Sequence, residues 1–346
     1  MARHLAVLEL PYGTSPFIYP KILSSNPRWQ VMDKLKVLVT DPVDEAFLEK
    51  VKPHVNVEVA LKLPEEELLK KVEDVDVLVV RSRTKVTRRV IEAAKKLKAV
   101  IRAGVGVDNI DMEAAKERGL TVVNTPREPA ESVAELTIAF ALCLARKIPS
   151  LDRSMKEGLW LKGEMGMELK GKTMGLLGLG AIGSTVARLA RAFGMRVIAY
   201  DPYVSEEKAR ELGVELVSFQ ELLSSSDFLS VHVPLTPETK GMIGRNEIAS
   251  MKDGAFIINT SRGGIVDEEA LYEAIKGGKL AGAALDVYVK EPPPPDHPLL
   301  KLDNVVCTPH VGGSTSDAQL RIALTMADDL LRIARGEEPL NKVKTW

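Results

Sequence analysis

Between residues 35 and 335, short β-branched runs take turns with stretches of helical period, and this alternation constrains the fold more than any other feature of the chain. A strand followed by a crossing helix returns the next strand parallel to the first. Repetition therefore builds parallel sheets covered by helices on both faces. In the first series, runs at 36–40, 76–80 and 100–103 precede helical stretches at 44–51, 87–94 and 112–118. A long helical run at 132–146 and a Gly- and Met-containing connection follow. A second series then opens at 172–177 and continues through 196–200, 228–233, 255–259, 281–287 and 305–308. At 346 residues the chain is too long for one comfortable core, so the expected fold class is α/β with two doubly wound parallel-sheet domains. The last helical stretch, 316–335, is too short to be a domain and is expected to pack back on the first series. This predicts a discontinuous domain of residues 34–130 plus 315–346, a continuous one of 131–314, and an appendage of 1–33.

The second series opens with a glycine signature. Gly178, Gly180 and Gly183 form G-L-G-A-I-G between the apolar run 174–177 and a helix expected over 181–193. Asp201 ends the next strand, eighteen positions beyond Gly183. The spacing alone is weak; with a strand before, a helix after and an acid at that distance, it points to a dinucleotide site. The glycines let the backbone approach a pyrophosphate, and the amides of Ala181 and Ile182 at the positive end of the helix meet its charge. Asp201 accepts from both ribose hydroxyls and repels a 2′-phosphate by about 1 to 4 kcal/mol, which selects NAD over NADP.

Three ionisable residues end three strands of the same series. Arg262 follows 255–259 in N-T-S-R-G-G, Glu291 follows 281–287, and His310 follows 305–308 in T-P-H-V-G-G. Ligands of open α/β sheets bind outside the carboxyl ends of the strands. Singly, each residue is more simply a surface or loop group. Together they supply what hydride transfer between a nicotinamide and a 2-hydroxy acid needs: a cation for the carboxylate, a base for the hydroxyl proton and a partner for that base. The other histidines, His4, His54, His232 and His297, read as structural.

These residues sit in motifs that closely resemble those of the D-isomer specific 2-hydroxyacid dehydrogenases. The resemblance spans about residues 35 to 335. It includes A-G-V-G-V-D-N-I-D at 103–111, the glycine loop, H-V-P at 232–234, N-T-S-R-G-G-I-V-D at 259–267, A-A-L-D-V with the later E-P, and T-P-H-V-G-G-S-T at 308–315. It implies a Rossmann-type NAD domain and a flavodoxin-like substrate domain. It also implies that Arg262 binds the substrate carboxylate and carbonyl oxygen, that His310 is the acid/base, and that Glu291 hydrogen-bonds His310 and raises its pKa. Val105, Val233, Pro234, Thr260, Ser261, Asp286, Gly312 and Gly313 would line the cofactor, with Arg262 and His310 beside them. V-R-S-x-T-K-V-T at 80–87 and R-A-G at 102–104 look like the phosphoglycerate dehydrogenase branch in a short form without the regulatory extension. Arg81 and Arg102 would then face a substrate phosphate, with Gly104 and Val105 beside them, Lys85 nearby and Arg83 as an additional cation. Two features depart from the family: Ala181 stands where an arginine is usual, and 127–131 replaces a Gly-Asn or Ser-rich loop. The expected reaction is the NAD-dependent oxidation of 3-phospho-D-glycerate, the first step of serine biosynthesis. The alternatives are a glyoxylate or hydroxypyruvate reductase and an NAD-sensing corepressor-like binding protein; the formate dehydrogenase branch carries glutamine in place of the glutamate.

Composition narrows the partners. Lys and Arg number 47 against 48 Asp and Glu and are interleaved along helical stretches, so no nucleic acid partner is expected. No run approaches the roughly 20 apolar residues of a membrane span. Cys143 and Cys307 lie in apolar runs without ligand spacing, which predicts buried free thiols, no metal and a cytoplasmic setting. Three glutamines among plentiful charges and 20 prolines suggest selection for heat. The helix 132–146 and the connection to 168 carry a surplus of apolar side chains, including Leu136, Ile138, Phe140, Leu142 and Leu144, which predicts a homodimer through the cofactor domain.

Overall fold

The structure, a computed structural model, describes residues 34–344. The expectation for residues 1–33 lies outside them. Five parallel strands form the first sheet: β1 (Lys36–Val39), β2 (Asn56–Val59), β3 (Val77–Val80), β4 (Ala99–Arg102) and β5 (Thr121–Val123), in the order β2-β1-β3-β4-β5. The second sheet has seven: β6 (Thr173–Leu177), β7 (Arg196–Tyr200), β8 (Glu215–Leu216), β9 (Phe228–Val231), β10 (Ala255–Asn259), β11 (Leu280–Leu285) and β12 (Val305–Cys307). Their order is β12-β11-β10-β9-β6-β7-β8, again with every pair parallel. Both are doubly wound, and each reverses direction once, between β1 and β3 and between β6 and β9, the crevices where such sheets bind ligands.

Strand periodicity sorts the core into layers, since successive side chains point to opposite faces. Leu38, Leu78, Val100 and Val122 pack against α3 (Arg88–Ala93) and α4 (Met112–Glu117) on one face of the first sheet. Val37, Val39, Val77, Val79 and Ile101 pack on the other face with Phe47 of α1 (Glu45–Val51) and with Ile322, Met326 and Leu330 of α12 (Ser316–Ala334). In the second sheet Met174, Leu176, Phe256 and Ile258 meet α5 (Ala130–Arg146) and α7 (Ala181–Ala192). Leu177, Ile198, Ile257 and Leu285 meet α9 (Phe219–Ser225), α10 (Arg245–Ser250) and α11 (Glu268–Lys276). Each such residue withdrawn from water contributes about 1.5 to 3 kcal/mol.

The chain crosses between the sheets twice. It leaves the first at α5 and returns at α12, and the Oγ of Ser132 and Oγ1 of Thr315 are hydrogen-bonded at 2.7 Å where the two crossings meet. Glu128 reinforces the junction by accepting from Thr325 Oγ1 and, through its carbonyl, from Arg321 Nε, each at 3.0 Å. Buried Asp329 then accepts from Leu340 N and Asn341 Nδ2, which lays the C-terminal segment against β5.

Several expectations are corrected. Asp44 and Thr87 precede their helices and cap them, accepting from Ala46 N and Val90 N, because short polar side chains compete with the backbone for helix amides. The connection after α5 contains a further helix, α6 (Ile148–Lys156), and α7 ends one residue before Phe193. Both cysteines are free but only partly buried. The apolar side chains of α5 are used within the chain: Ile138, Phe140 and Leu144 are buried, and Leu136 and Leu142 pack on the same cluster. No helix of the described residues is long and apolar enough to cross a membrane.

Candidate active site

The carboxyl ends of both sheets face one cleft of about 540 Å³. On the second sheet, β6 ends at Gly178, whose φ of +97° is open to glycine. A Cβ there would sit 2.9 Å from the His232 carbonyl oxygen, so the turn passes hard against the end of β9. Gly183 lies still closer, with a Cβ position 2.2 Å from the Gly178 oxygen. Gly180 differs: it caps α7 without a side-chain bond and has nothing within 4 Å. The uncapped amides of Ala181 and Ile182 therefore face open space, which suits the pyrophosphate of a dinucleotide. Asp201 fixes this loop, its carboxylate accepting from Leu179 N at 2.8 Å and from Tyr203 N at 2.9 Å.

His310 lies beyond β12 with a left-handed φ of +55°, a conformation uncommon outside glycine. Asp286, just past β11 and only 1% exposed, holds it there. Its carboxylate accepts from Val311 N and Gly312 N, each at 2.8 Å, and from the Thr308 hydroxyl. On the imidazole, Nδ1 meets Glu291 Oε2 at 2.8 Å, which leaves Nε2 for a reacting group. Burial raises the Glu291 carboxyl, but the bond to His310, its charge, the Tyr288 amide and Arg262 outweigh it, so Glu291 titrates below the usual carboxylate range. Arg262 follows β10 in a turn made by Asn259, which accepts from Ser261 N at 3.1 Å and donates to the Arg262 carbonyl at 2.9 Å. The Arg262 guanidinium donates to Ser261 O and, across the cleft, to Asp108 Oδ2 at 2.9 Å.

The first sheet supplies Arg81 after β3 and Arg102 at the end of β4. The Nε of Arg102 is closed to solvent and has no hydrogen-bond partner among the described residues. Burial, with Arg262 and Arg81 nearby, lowers its pKa to about 10 against the pull of Asp108 and Asp41, which still leaves it charged at neutral pH. Two glycines make room for these side chains. A Cβ on Gly104 would lie 1.7 Å from Arg102 Nη1, and one on Gly106 would lie 1.6 Å from Arg262 Nη2. The remaining cations are placed differently from expectation. Arg83 pairs with buried Asp41 at 3.2 Å, and neither Arg83 nor Lys85 lines the cleft.

Of the residues singled out in the sequence, Arg81, Arg102, Gly104, Val105, Gly180, Ala181, Ile182, Val233 and Pro234 line the cleft. So do Thr260, Ser261, Arg262, Asp286, His310, Gly312 and Gly313. Gly178, Gly183, Asp201 and Glu291 stand behind this wall and shape it. Residues not singled out are Gly106 and Asp108, visible only as letters of the 103–111 motif, and Asp41. His232 also lines the cleft. The residue is only partly buried, yet its Nδ1 is closed off without a partner, and burial pushes its pKa down to about 3, so the ring is neutral. Among the described residues no cluster of His, Cys, Asp and Glu could hold a metal.

Comparison with known proteins agrees with this geometry. Residues 138–312 match the model described as D-isomer specific 2-hydroxyacid dehydrogenase, NAD binding domain. The chain is 53% identical over 311 residues to a D-3-phosphoglycerate dehydrogenase of Archaeoglobus fulgidus, an alignment covering 89% of this chain and 59% of that relative. It thus spans a little under two thirds of that relative's length. It is 48% identical over 305 residues to a hydroxypyruvate reductase of Thermotoga maritima, covering 87% of this chain and 99% of the relative. The solved structure of an Aquifex aeolicus D-lactate dehydrogenase, complexed with NAD and lactic acid, matches with a TM-score of 0.78 at 33% identity, covering 87% of this chain and 96% of that one. A family model over half of the chain and a relative 48% identical over nearly its whole length show that the chain belongs to the D-isomer specific 2-hydroxyacid dehydrogenase family.

Proposed function

We propose that the chain catalyses NAD-dependent oxidation of a D-2-hydroxy acid in the cytoplasm, and that the acid is 3-phospho-D-glycerate, giving 3-phosphohydroxypyruvate. The observation that carries the substrate reading is Arg102, a guanidinium without a carboxylate partner, its Nε closed off in the cleft beside Arg81 and Arg262. With the Nε closed off, the terminal nitrogens of a guanidinium bonded only to the Ala103 carbonyl among the described residues would give a phosphate oxygen charge-assisted hydrogen bonds. Gly180, Ala181, Ile182 and Asp201 would hold the dinucleotide. NAD, when bound, supplies the acceptor for the hydride leaving C2. Arg262 fixes the substrate carboxylate, and His310 Nε2 takes the C2 hydroxyl proton as that hydride departs. Glu291 holds the opposite ring nitrogen, keeping the working tautomer and favouring the imidazolium that forms.

We also propose the division into a substrate domain, 34–130 plus 315–346, and an NAD domain, 131–314. A homodimer through the latter is supported by the exposed apolar side chains Ile148, Met155, Leu159, Trp160, Leu161 and Met165. A monomer by sedimentation at micromolar concentration would sink the dimer. A second substrate reading, hydroxypyruvate reduction, is favoured by the Thermotoga relative, which the chain matches over 99% of its length. Side-by-side turnover of 3-phosphoglycerate, D-lactate, glyoxylate and hydroxypyruvate with the matching form of the cofactor decides between them. The phosphoglycerate reading requires the highest kcat/KM in the oxidative direction with 3-phosphoglycerate and fails if D-lactate equals it.

A further inference from the structure

The cleft has two cationic ends that differ in one respect. At one, the guanidiniums of Arg81 and Arg102 have no carboxylate partner among the described residues: Arg81 donates to the Pro42 carbonyl and Arg102 to its neighbouring Ala103 carbonyl. Two carboxylates act on Arg102 without bonding it: Asp108, which is bonded to Arg262, and Asp41, which accepts from the Arg81 and Thr84 amides and is ion-paired with Arg83. At the other end Arg262 is compensated, its Nε on Asp108 Oδ2 at 2.9 Å. The other carboxylate lining the cleft, Asp286, is occupied by the loop amides and hydroxyl around His310. Asp108 reaches Arg262 from the loop after β4, and Gly106 keeps that loop low enough for the guanidinium to lie against it.

A substrate with a phosphate at one end and a carboxylate at the other can enter such a cleft in two orientations, and only one brings its C2 hydroxyl to His310. We infer that Asp108 sets this orientation: by pairing with Arg262 it reserves that end for the monoanionic carboxylate and directs the dianionic phosphate to Arg81 and Arg102. A phosphate beside Asp108 meets about twice the repulsion felt by a carboxylate, because the interaction scales with the product of the charges. Asp108 is a specificity-determining residue that takes no part in proton or hydride transfer. The inference rests on the reading proposed above, with a phosphorylated hydroxy acid as substrate.

Asp108→Asn tests it, since the amide oxygen still accepts from Arg262 Nε while the charge is gone. Inverted, non-productive binding lowers kcat and KM together. With 3-phosphoglycerate both should fall in the variant, kcat by roughly two- to fivefold given the partial exposure of the pair. D-glycerate has one anionic end, so its KM should fall while its kcat stays ahead of that loss. Asp108→Glu should return kcat for 3-phosphoglycerate towards wild type. Equal loss of kcat on both substrates, or a kcat for 3-phosphoglycerate that does not fall, overturns the inference. If the wild-type protein fails to oxidise 3-phosphoglycerate, the substrate reading falls instead. Inorganic phosphate as a competitive inhibitor of glyoxylate reduction then reads the same electrostatics. It should inhibit Asp108→Asn more strongly than wild type, and equal inhibition overturns the role of Asp108.

Discussion

The two walls of the cleft are built to opposite rules. On the wall from the second sheet the groups around the reacting atom are paired before any ligand arrives: Asp286 holds the His310 loop, Glu291 holds the imidazole, and Asn259 holds the turn that carries Arg262. On the wall from the first sheet Arg102 keeps a closed-off, unpartnered Nε and is burdened by neighbouring cations. A group that moves a proton must hold one geometry throughout, so its wall is satisfied in advance. A group that grips a ligand gains most when the ligand supplies its missing partner.

The largest expected effect comes from breaking the paired wall at its reacting atom. His310→Ala should lower turnover by about 10² to 10⁴ with NAD binding nearly intact, the first by steady-state kinetics and the second by fluorescence titration. A comparable loss of NAD affinity would mean that the residue shapes the cofactor site instead.

Breaking the unpaired wall should be milder and selective. Arg102→Ala removes a charge-assisted contact of about 1.5 to 3 kcal/mol, so KM for 3-phosphoglycerate should rise roughly 10- to 150-fold and that for glyoxylate far less. Equal rises on both substrates would place Arg102 in the scaffold.

Glu291→Gln sharpens the comparison through pH. The bond to His310 holds Glu291 below the usual carboxylate range, so the carboxylate and the imidazolium stabilise each other. Keto-acid reduction, which needs the protonated ring, should lose its alkaline limb first, and oxidation should extend to lower pH. The contribution of the shift to folding is present above the unfolded carboxyl pKa, near 4.3, and is lost as pH falls through the lower folded value. Superimposable reduction profiles, with chemistry rate-limiting, would remove Glu291 from the mechanism.

The smallest effect concerns Asp201, which braces the glycine loop and, in the function proposed above, also binds a ribose. Asp201→Ala would confound the two by freeing the Leu179 amide. Asp201→Asn keeps an acceptor and should narrow the preference for NAD over NADP, within the roughly 1 to 4 kcal/mol of the original repulsion. An unchanged preference in paired cofactor titrations would leave Asp201 as a loop brace alone.

What could be read from the sequence follows from range. The glycine loop was legible because turn, helix start and acid lie within one strand–helix–strand unit. His310, Glu291 and Arg262 were legible because each follows a strand of clear apolar character. β2 and β5 were not: Asn56–Val59 is a largely exposed edge without an apolar run, and Thr121–Val123 has only three residues. Arg83 looked like a free cation because Asp41, its partner, lies at the end of another strand. The pairing of Asp108 with Arg262 joins residues 154 apart, beyond any local pattern. The apolar surplus of α5 was read correctly as surplus for one face. Much of it is used within the chain, where the helix packs against β10, β11, β12 and α7.

The bond between Ser132 and Thr315 has a mechanical consequence. Two strands of chain connecting two bodies normally leave each free to twist about its own tether. Tied side by side, the two connections share one bond, so losing either hydroxyl loosens both crossings at once.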